Sequence, residues 1–170
     1  MRALVQRVTR ARCTVAGRVT GAIEGGLLVL LGAAAADGAA DADWLAKKVA
    51  GLRIFADDAL HMNRDVRDAG GRVLAVPQFT LYGDARRGRR PDFTAAARPE
   101  HAEPLFERFC AALETHGVAV ARGVFRAHMA IELVNDGPVT LLIESPRARP
   151  GSKVPAAGER GEPLGPHRGP

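Results

Sequence analysis

The chain has 170 residues, a formal net charge of +5, 46% hydrophobic and 5% aromatic residues, and two cysteines. That length suits one domain able to bury roughly two-thirds of the surface its unfolded chain exposes. Two cysteines exclude a disulfide framework, and no apolar run is long enough to span a bilayer or to serve as a leader, so the expectation is a soluble cytoplasmic protein.

Residues 1–8 alternate as a strand, with Leu4, Gln6 and Val8 on one face and Ala3, Val5 and Arg7 on the other. Arg7 therefore points with aliphatic neighbours, where an arginine needs a carboxylate or carbonyl partner. Residues 12–15, a turn at Ala16-Gly17 and residues 18–23 form a hairpin signal, and the apolar run 27–31 reads as a central strand. A helix follows, with Asp41 as its N-cap and Leu45, Val49 and Leu52 as the buried stripe, Lys47 and Lys48 facing out. Residues 53–55 return as a short strand. Asp57-Asp58 with His61, Met62 and Asn63 lacks the spacing of a calcium or zinc site and reads as a polar turn. Gly70-Gly71 introduces a strand over 72–76 that ends at Pro77.

Pro77-Gln78-Phe79-Thr80-Leu81 closes that strand. If extended, it places the Gln78 and Thr80 side chains on one face and Phe79 on the other; a strand end with mixed residues is the plainer account. Just beyond, residues 84–98 hold Arg86, Arg87, Arg89, Arg90 and Arg98 against Asp84 and Asp92. This stretch is either a grip for nucleic-acid phosphates or a solvated charged loop. A second helix is marked by Ala102, Leu105, Phe106, Phe109, Cys110 and Leu113, with Gly117 at its C-terminal cap. Cys110 is then a core residue, and Cys13 shows no sign of a nucleophile. Residues 118–120 form a strand. Phe125 and Met129 pack in the core or wall an apolar pocket, and His128 reads as a surface histidine. The five histidines show no metal-ligand spacing, so neither a metal nor a cofactor is expected.

Two strand-like runs, 129–134 and 139–144, flank a turn at Asn135-Asp136-Gly137-Pro138. Glycine reaches dihedrals closed to other residues and proline fixes its own φ, so the pair can hold two carbonyl oxygens in one direction. On the residues alone this is a rigid loop, with a trans bond expected, since cis occurs in only about 5–6% of such bonds in folded proteins. From 146 to 170 five basic residues stand against two acidic ones, which leaves +2 on the body. That stretch reads as a Pro/Gly/Arg-rich disordered tail following a domain at 1–145, and the overall basicity by itself makes no case for nucleic acid.

The opening MRALVQRVTRA, the LLVLLG run, the PQFTLYGD segment followed by RRGRRPDF, and the closing NDGPVTLLIES together resemble the D-aminoacyl-tRNA deacylase family, from Met1 to about Ser145. The resemblance implies a homodimeric α/β fold with a curved, barrel-like mixed sheet and two main helices. It implies hydrolysis of the ester joining a D-amino acid, or glycine mischarged on tRNA(Ala), to the terminal adenosine of tRNA. It further implies a cis bond at Gly137-Pro138, inserted into the partner's active site, with carbonyls that hold the substrate's α-amino group and leave no room for an L side chain; Arg7 braces that turn across the dimer. Gln78, Phe79 and Thr80 match the catalytic motif, with the Phe79 and Thr80 N–H groups as oxyanion donors, and Phe125 and Met129 match the wall of the terminal-nucleotide pocket. The same resemblance implies that the tRNA's own 2′-hydroxyl assists a water.

One position departs from the family, which usually opens this motif with serine where the chain has Pro77, without a hydroxyl or an N–H. A catalytically weak tRNA-binding dimer of the same fold is the alternative reading, and turnover separates the two.

Overall fold

The computed structural model describes residues 1–146, and the expected tail lies from residue 147 on outside the described residues. Strand β1 (Arg2–Val15) runs unbroken, joining the expected opening strand to the expected hairpin arm. Pairing with other strands explains the difference. β1 is the hub of the sheet, and on one side it pairs first with β3 (Gly26–Gly32) and then with β2 (Arg18–Ile23), so neighbours support it over its whole length. The turn into β2 falls at the expected residues, with Ala16 and Gly17 both at positive φ.

β3 continues in parallel with β6 (Arg72–Pro77), and β6 in parallel with β7 (Val120–Arg122), which starts two residues later than expected. Strand order is β2-β1-β3-β6-β7, with β8 (Met129–Glu144) on the free side of β1. The sheet curls until its ends nearly meet, since a methyl placed at Gly21 on β2 would stand 2.8 Å from the Arg122 carbonyl oxygen on β7. The result is a nearly closed, barrel-like mixed sheet with two helices.

β3 is apolar throughout because both its faces are covered. Leu27, Val29 and Leu31 join Ala3 and Val5 in packing against the helices α1 (Ala39–Ala50) and α2 (Pro99–Thr115), while Leu28 faces Cys13, Ile23, Leu74 and Val76 inside the curl. α1 begins earlier than expected, with Gly38 rather than Asp41 at its N-cap; Asp41 sits in the first turn and accepts the Gly38 N–H at 2.8 Å. α2 buries Leu105, Phe106, Phe109, Cys110 and Leu113 as its spacing requires, and Gly117, at φ +79, follows its end. The polar segment after α1 is a small hairpin, β4 (Phe55–Ala56) with β5 (Met62–Arg64), whose turn is held by Asp57 accepting from the Ala59 and His61 amides. Met62 and Asn63 therefore belong to a strand.

The largest departure from the residue pattern lies in β8. The runs 129–134 and 139–144 do not form a hairpin; both pair antiparallel with β1 as one strand. Val8 faces Asn135 and Gln6 faces Thr140, so residues 136–139 stand opposite Arg7 alone. The Gly-Pro segment is a four-residue bulge in a continuous strand. Turn chemistry is visible in the residues, but whether a turn reverses the chain depends on what the flanks pair with.

Candidate active site

The end of β6 does not stay extended. Gln78 donates its backbone N–H to the Leu31 carbonyl at 2.8 Å, and the chain then winds into a 3-10 turn at Phe79–Tyr82. The first N–H groups of such a turn have no acceptor within it, so those of Phe79 and Thr80 are free to meet a ligand. The Gln78 and Thr80 side chains do not share the face of an extended strand; they meet through the winding of the turn, where Gln78 Nε2 donates to Thr80 Oγ1. The turn is fixed from behind by Tyr82. Its ring is buried under the Arg2 guanidinium, 4.5 Å from the ring centre, its hydroxyl lies 3.2 Å from Asp37 Oδ2, and Arg2 Nη1 donates to the Leu81 carbonyl at 2.8 Å. Burial first, and the Asp37 carboxylate second, push the Tyr82 phenol well above its ordinary range, so it stays protonated as a donor.

Pro77 closes β6 without the loss of a ladder bond. The Gln78 N–H faces β3, and the Val73 N–H faces the β7 side, where it meets the Ala119 carbonyl. By strand alternation, position 77 also faces the β7 side, and the β6–β7 ladder stops at Ala75 and Arg122.

A cavity of about 650 Å³ opens beside the turn, and its wall includes Gln78, Phe79, Phe125 and Met129. Phe79 is 57% exposed, held edge-on to Phe93 at 5.2 Å, and Phe125 packs on Phe106 of α2 at 6.5 Å. Four residues matched to the site from distant parts of the sequence are therefore gathered around one hollow. Thr80 is exposed just outside the wall. Phe93, Arg98, Phe106, Arg126 and His128 also line the cavity. Helical spacing assigns Phe106 to the core and charge assigns Arg98 to the basic stretch, while nothing in the pattern singles out Phe93 or Arg126; no local signal marks a residue that reaches a cavity from a loop.

Gly137, Pro138 and Arg7 are not in that wall. The Gly137-Pro138 bond is cis, both residues are exposed, and the neck of the bulge is closed by Asn135 Nδ2 donating to Thr140 Oγ1 at 3.1 Å. Arg7 lies under the bulge of its own chain. Its Nη1 donates to the Ile54 carbonyl at 2.5 Å, and its Nε is 2.9 Å from Asp136 Oδ2, an ionic contact without the alignment of a hydrogen bond. Position 137 has no room for a side chain: its φ is +114, and a Cβ there would stand 2.7 Å from Arg7 Nη2.

Arg86, Arg87, Arg89 and Arg90 form an exposed loop pinned at its base by Asp84 and Asp92, which exchange backbone hydrogen bonds at 2.7 and 2.9 Å. Arg86 is committed to Asp84, with Nε donating at 2.9 Å. These bonds hold the Asp84 carboxyl down at about 2. A depressed carboxylate stabilises where it is ionised, so the Asp84–Arg86 contact is complete above the ordinary value near 4 and disappears as pH falls through about 2. A carbon-detected NMR titration should show the Asp84 midpoint near that lower value; a midpoint near 4 would show that the contact does not persist in solution.

Cys13 and Cys110 are both buried, and burial pushes the Cys110 thiol up to about 12. Neither should react with iodoacetamide in the native protein at neutral pH, and both should react in denaturant; rapid native alkylation would contradict their packing. Among the described residues no group of three His, Cys, Asp or Glu is placed to hold a metal, and no helix is long and apolar enough to cross a membrane.

A sequence model of the family described as D-Tyr-tRNA(Tyr) deacylase matches residues 4–144. A protein of Symbiobacterium thermophilum named D-aminoacyl-tRNA deacylase is 61% identical over 145 residues, 85% of this chain and 96% of its own length. One of the same name from Deinococcus radiodurans is 59% identical over 144 residues, 85% of this chain and 99% of its own. Among solved structures, one titled c-Myc DNA Unwinding Element Binding Protein superposes with a TM-score of 0.80 at 38% identity, over 86% of this chain and 99% of its own. A probable eukaryotic D-amino acid tRNA deacylase superposes at 0.73 with 16% identity, over 84% and 98%, a likeness of fold.

Proposed function

We infer how the site works from the chain's kinship: it belongs to the D-Tyr-tRNA(Tyr) deacylase family and hydrolyses the ester of D-aminoacyl-tRNA, releasing free D-amino acid and tRNA. The observation that carries the reading is the junction of the 3-10 turn with the cavity. Phe125 and Met129 wall a hollow of the size and apolar character that suits the terminal adenosine, and the ester then lies toward Gln78, Phe79 and Thr80. Water attacks the ester carbonyl, the oxyanion that forms accepts the N–H groups of Phe79 and Thr80, and the 3′-oxygen of the tRNA leaves with a proton. The terminal 2′-hydroxyl assists the water, since the Thr80 hydroxyl is engaged by Gln78 rather than by a base. An oxyanion donor of this kind is worth roughly 10²–10³ in rate.

The active unit in this reading is a homodimer in the cytoplasm, with Gly137-Pro138 of each chain inserted into the other chain's cavity. Three observations support it: the Gly-Pro bulge is exposed and takes no part in its own cavity wall, β8 is an edge strand, and it exposes Val134, Leu141 and Leu142 at 40%, 37% and 59%. In the partner's cavity the two carbonyls hold the α-amino group and reject an L side chain, while a D side chain or the hydrogen of glycine is admitted.

The direct test is release of amino acid from matched D-, L- and glycyl-esters of one tRNA in the presence of a chelator. Fast cleavage of the D-ester, slow cleavage of the L-ester and turnover indifferent to chelator are expected. Equal cleavage of D and L would remove the carbonyl gate, and tRNA binding without any cleavage would favour the catalytically weak dimer, with Pro77→Ser the substitution to examine next.

Arg87, Arg89 and Arg90 contact tRNA phosphates in this reading. Replacing all three with alanine should flatten the salt dependence of tRNA binding by about 0.7–0.9 in log–log slope for each phosphate no longer neutralised. An unchanged slope would mean a merely solvated loop. Phe79→Ala should leave stability nearly unchanged, because the ring is largely exposed, while raising KM for the charged tRNA; a fall in melting temperature with unchanged kinetics would assign Phe79 to packing.

A further inference from the structure

The cavity wall carries three basic side chains, Arg98, Arg126 and His128, and no carboxylate. Among the described residues Arg2, Arg7, Arg12, Arg64, Arg67, Arg86, Arg108 and Arg122 each stand against an acidic side chain, and Arg53 donates to the Asn63 carbonyl. Arg98 and Arg126 have neither a hydrogen bond nor an ion pair from their side chains among the described residues, and both are exposed at the cavity.

Arg126 is also held in an uncommon backbone state. Its φ is +61, one of three positive values outside glycine among the described residues. All three lie in turns, but the turn of Arg126, closed by the Ala127 N–H on the Val124 carbonyl at 3.3 Å, is the one at the cavity, between Phe125 and Met129. Glycine would adopt that conformation freely, whereas a side chain there is disfavoured. A bulky residue kept in the left-handed region beside a ligand cavity points to a use for its side chain.

We propose that Arg98 and Arg126 grip the phosphate that joins the terminal nucleotide of the tRNA to the nucleotide before it. The proposal rests on the cavity reading above and adds to it a charged anchor at the rim. The apolar wall suits the base, the 3-10 turn meets the ester, and the remaining charged group of a 3′-terminal nucleotide is its 5′-phosphate. A guanidinium offers that phosphate paired N–H donors in fixed geometry. Anchoring the phosphate sets how deep the nucleotide sits, and so where the ester carbonyl falls relative to the Phe79 and Thr80 amides.

Calorimetric titration of the intact protein with adenosine, 5′-AMP and the dinucleotide CpA tests this without relying on turnover. At low salt 5′-AMP should bind about ten- to a hundredfold more tightly than adenosine, the range for charge-assisted hydrogen bonds to one anion. CpA should bind at least as well as 5′-AMP, because the anchored group is a link in a chain. Arg98→Ala with Arg126→Ala should erase the preference, read as the ratio of 5′-AMP to adenosine affinity within the same variant. Arg126→Gly should act like alanine although it relieves the backbone, and Arg126→Lys should keep part of the preference. Equal affinity for 5′-AMP and adenosine in the unmodified protein, a preference that survives the double substitution, or exclusion of CpA would each overturn the phosphate grip while leaving the nucleotide pocket in place. Failure of adenosine itself to bind would take down the pocket reading and the grip with it.

Discussion

Gly137→Ala should lower turnover of the D-ester roughly a hundredfold, the scale set by a displacement of about 1 Å in a reacting geometry. The added methyl has nowhere to go: φ at this position is +114, and the Cβ would fall 2.7 Å from Arg7 Nη2. Arg7 cannot swing aside without leaving the Ile54 carbonyl and Asp136. The bulge must shift instead, and with it the two carbonyls proposed to hold the α-amino group. Thermal stability should fall modestly, by about 1–3 kcal/mol for a side chain held at that φ, while the flanking pairs with β1 remain. The rate should fall for the D-ester more than for the L-ester, narrowing the gap between them. Mixing adds a second readout. If each bulge serves the partner's cavity, a Gly137→Ala chain combined with a Phe79→Ala chain gives mixed dimers in which one of the two cavities has an intact wall and an intact incoming bulge, so activity should recover above either parent. No recovery on mixing would place the bulge's action within its own chain.

Phe109→Ala should destabilise the protein by about 3–5 kcal/mol, the range for removing a large aromatic from a packed core. Phe109 is fully buried and lies in the cluster that joins α2 to α1, β1 and β3. For a domain of this size each kcal/mol moves the melting temperature by roughly 2–4 °C, so thermal and denaturant midpoints should both drop sharply. The surviving folded fraction should keep its preference for the D-ester, because Phe109 is not part of the cavity wall. A small loss of stability would mean that α2 is anchored by its neighbours alone. A changed D-to-L ratio would mean that the packing of α2 also sets the geometry of the site, through Phe106 and its contact with Phe125.

The family resemblance is legible in the residues alone because its motifs are short and ordered along the chain. The geometry of the catalytic motif is not. Alternation puts Gln78 and Thr80 on one face of an extended strand, whereas they meet through a 3-10 turn. That winding depends on Tyr82 being buried against Asp37 and Arg2, contacts spanning 45 and about 80 residues of sequence. Arg7 is recognisable as a residue in need of partners, and it has two, but neither the Ile54 carbonyl nor the bulge at Asp136 is near it in the chain.

Local periodic features are written in the order of the residues: the buried faces of both helices, the two-sided apolar run of β3, the course of β6 up to Pro77, and the Ala16-Gly17 turn. Each follows from side chains within a few residues of one another, where spacing maps directly onto a face. Long-range pairing and packing supply the rest: β1 is one long strand, the Gly-Pro segment is a bulge rather than a hairpin turn, and Arg98, Arg126 and His128 join Phe125 and Met129 around one cavity. A strand's length and a turn's direction depend on which other strands complete its hydrogen bonds, and those partners lie far along the chain.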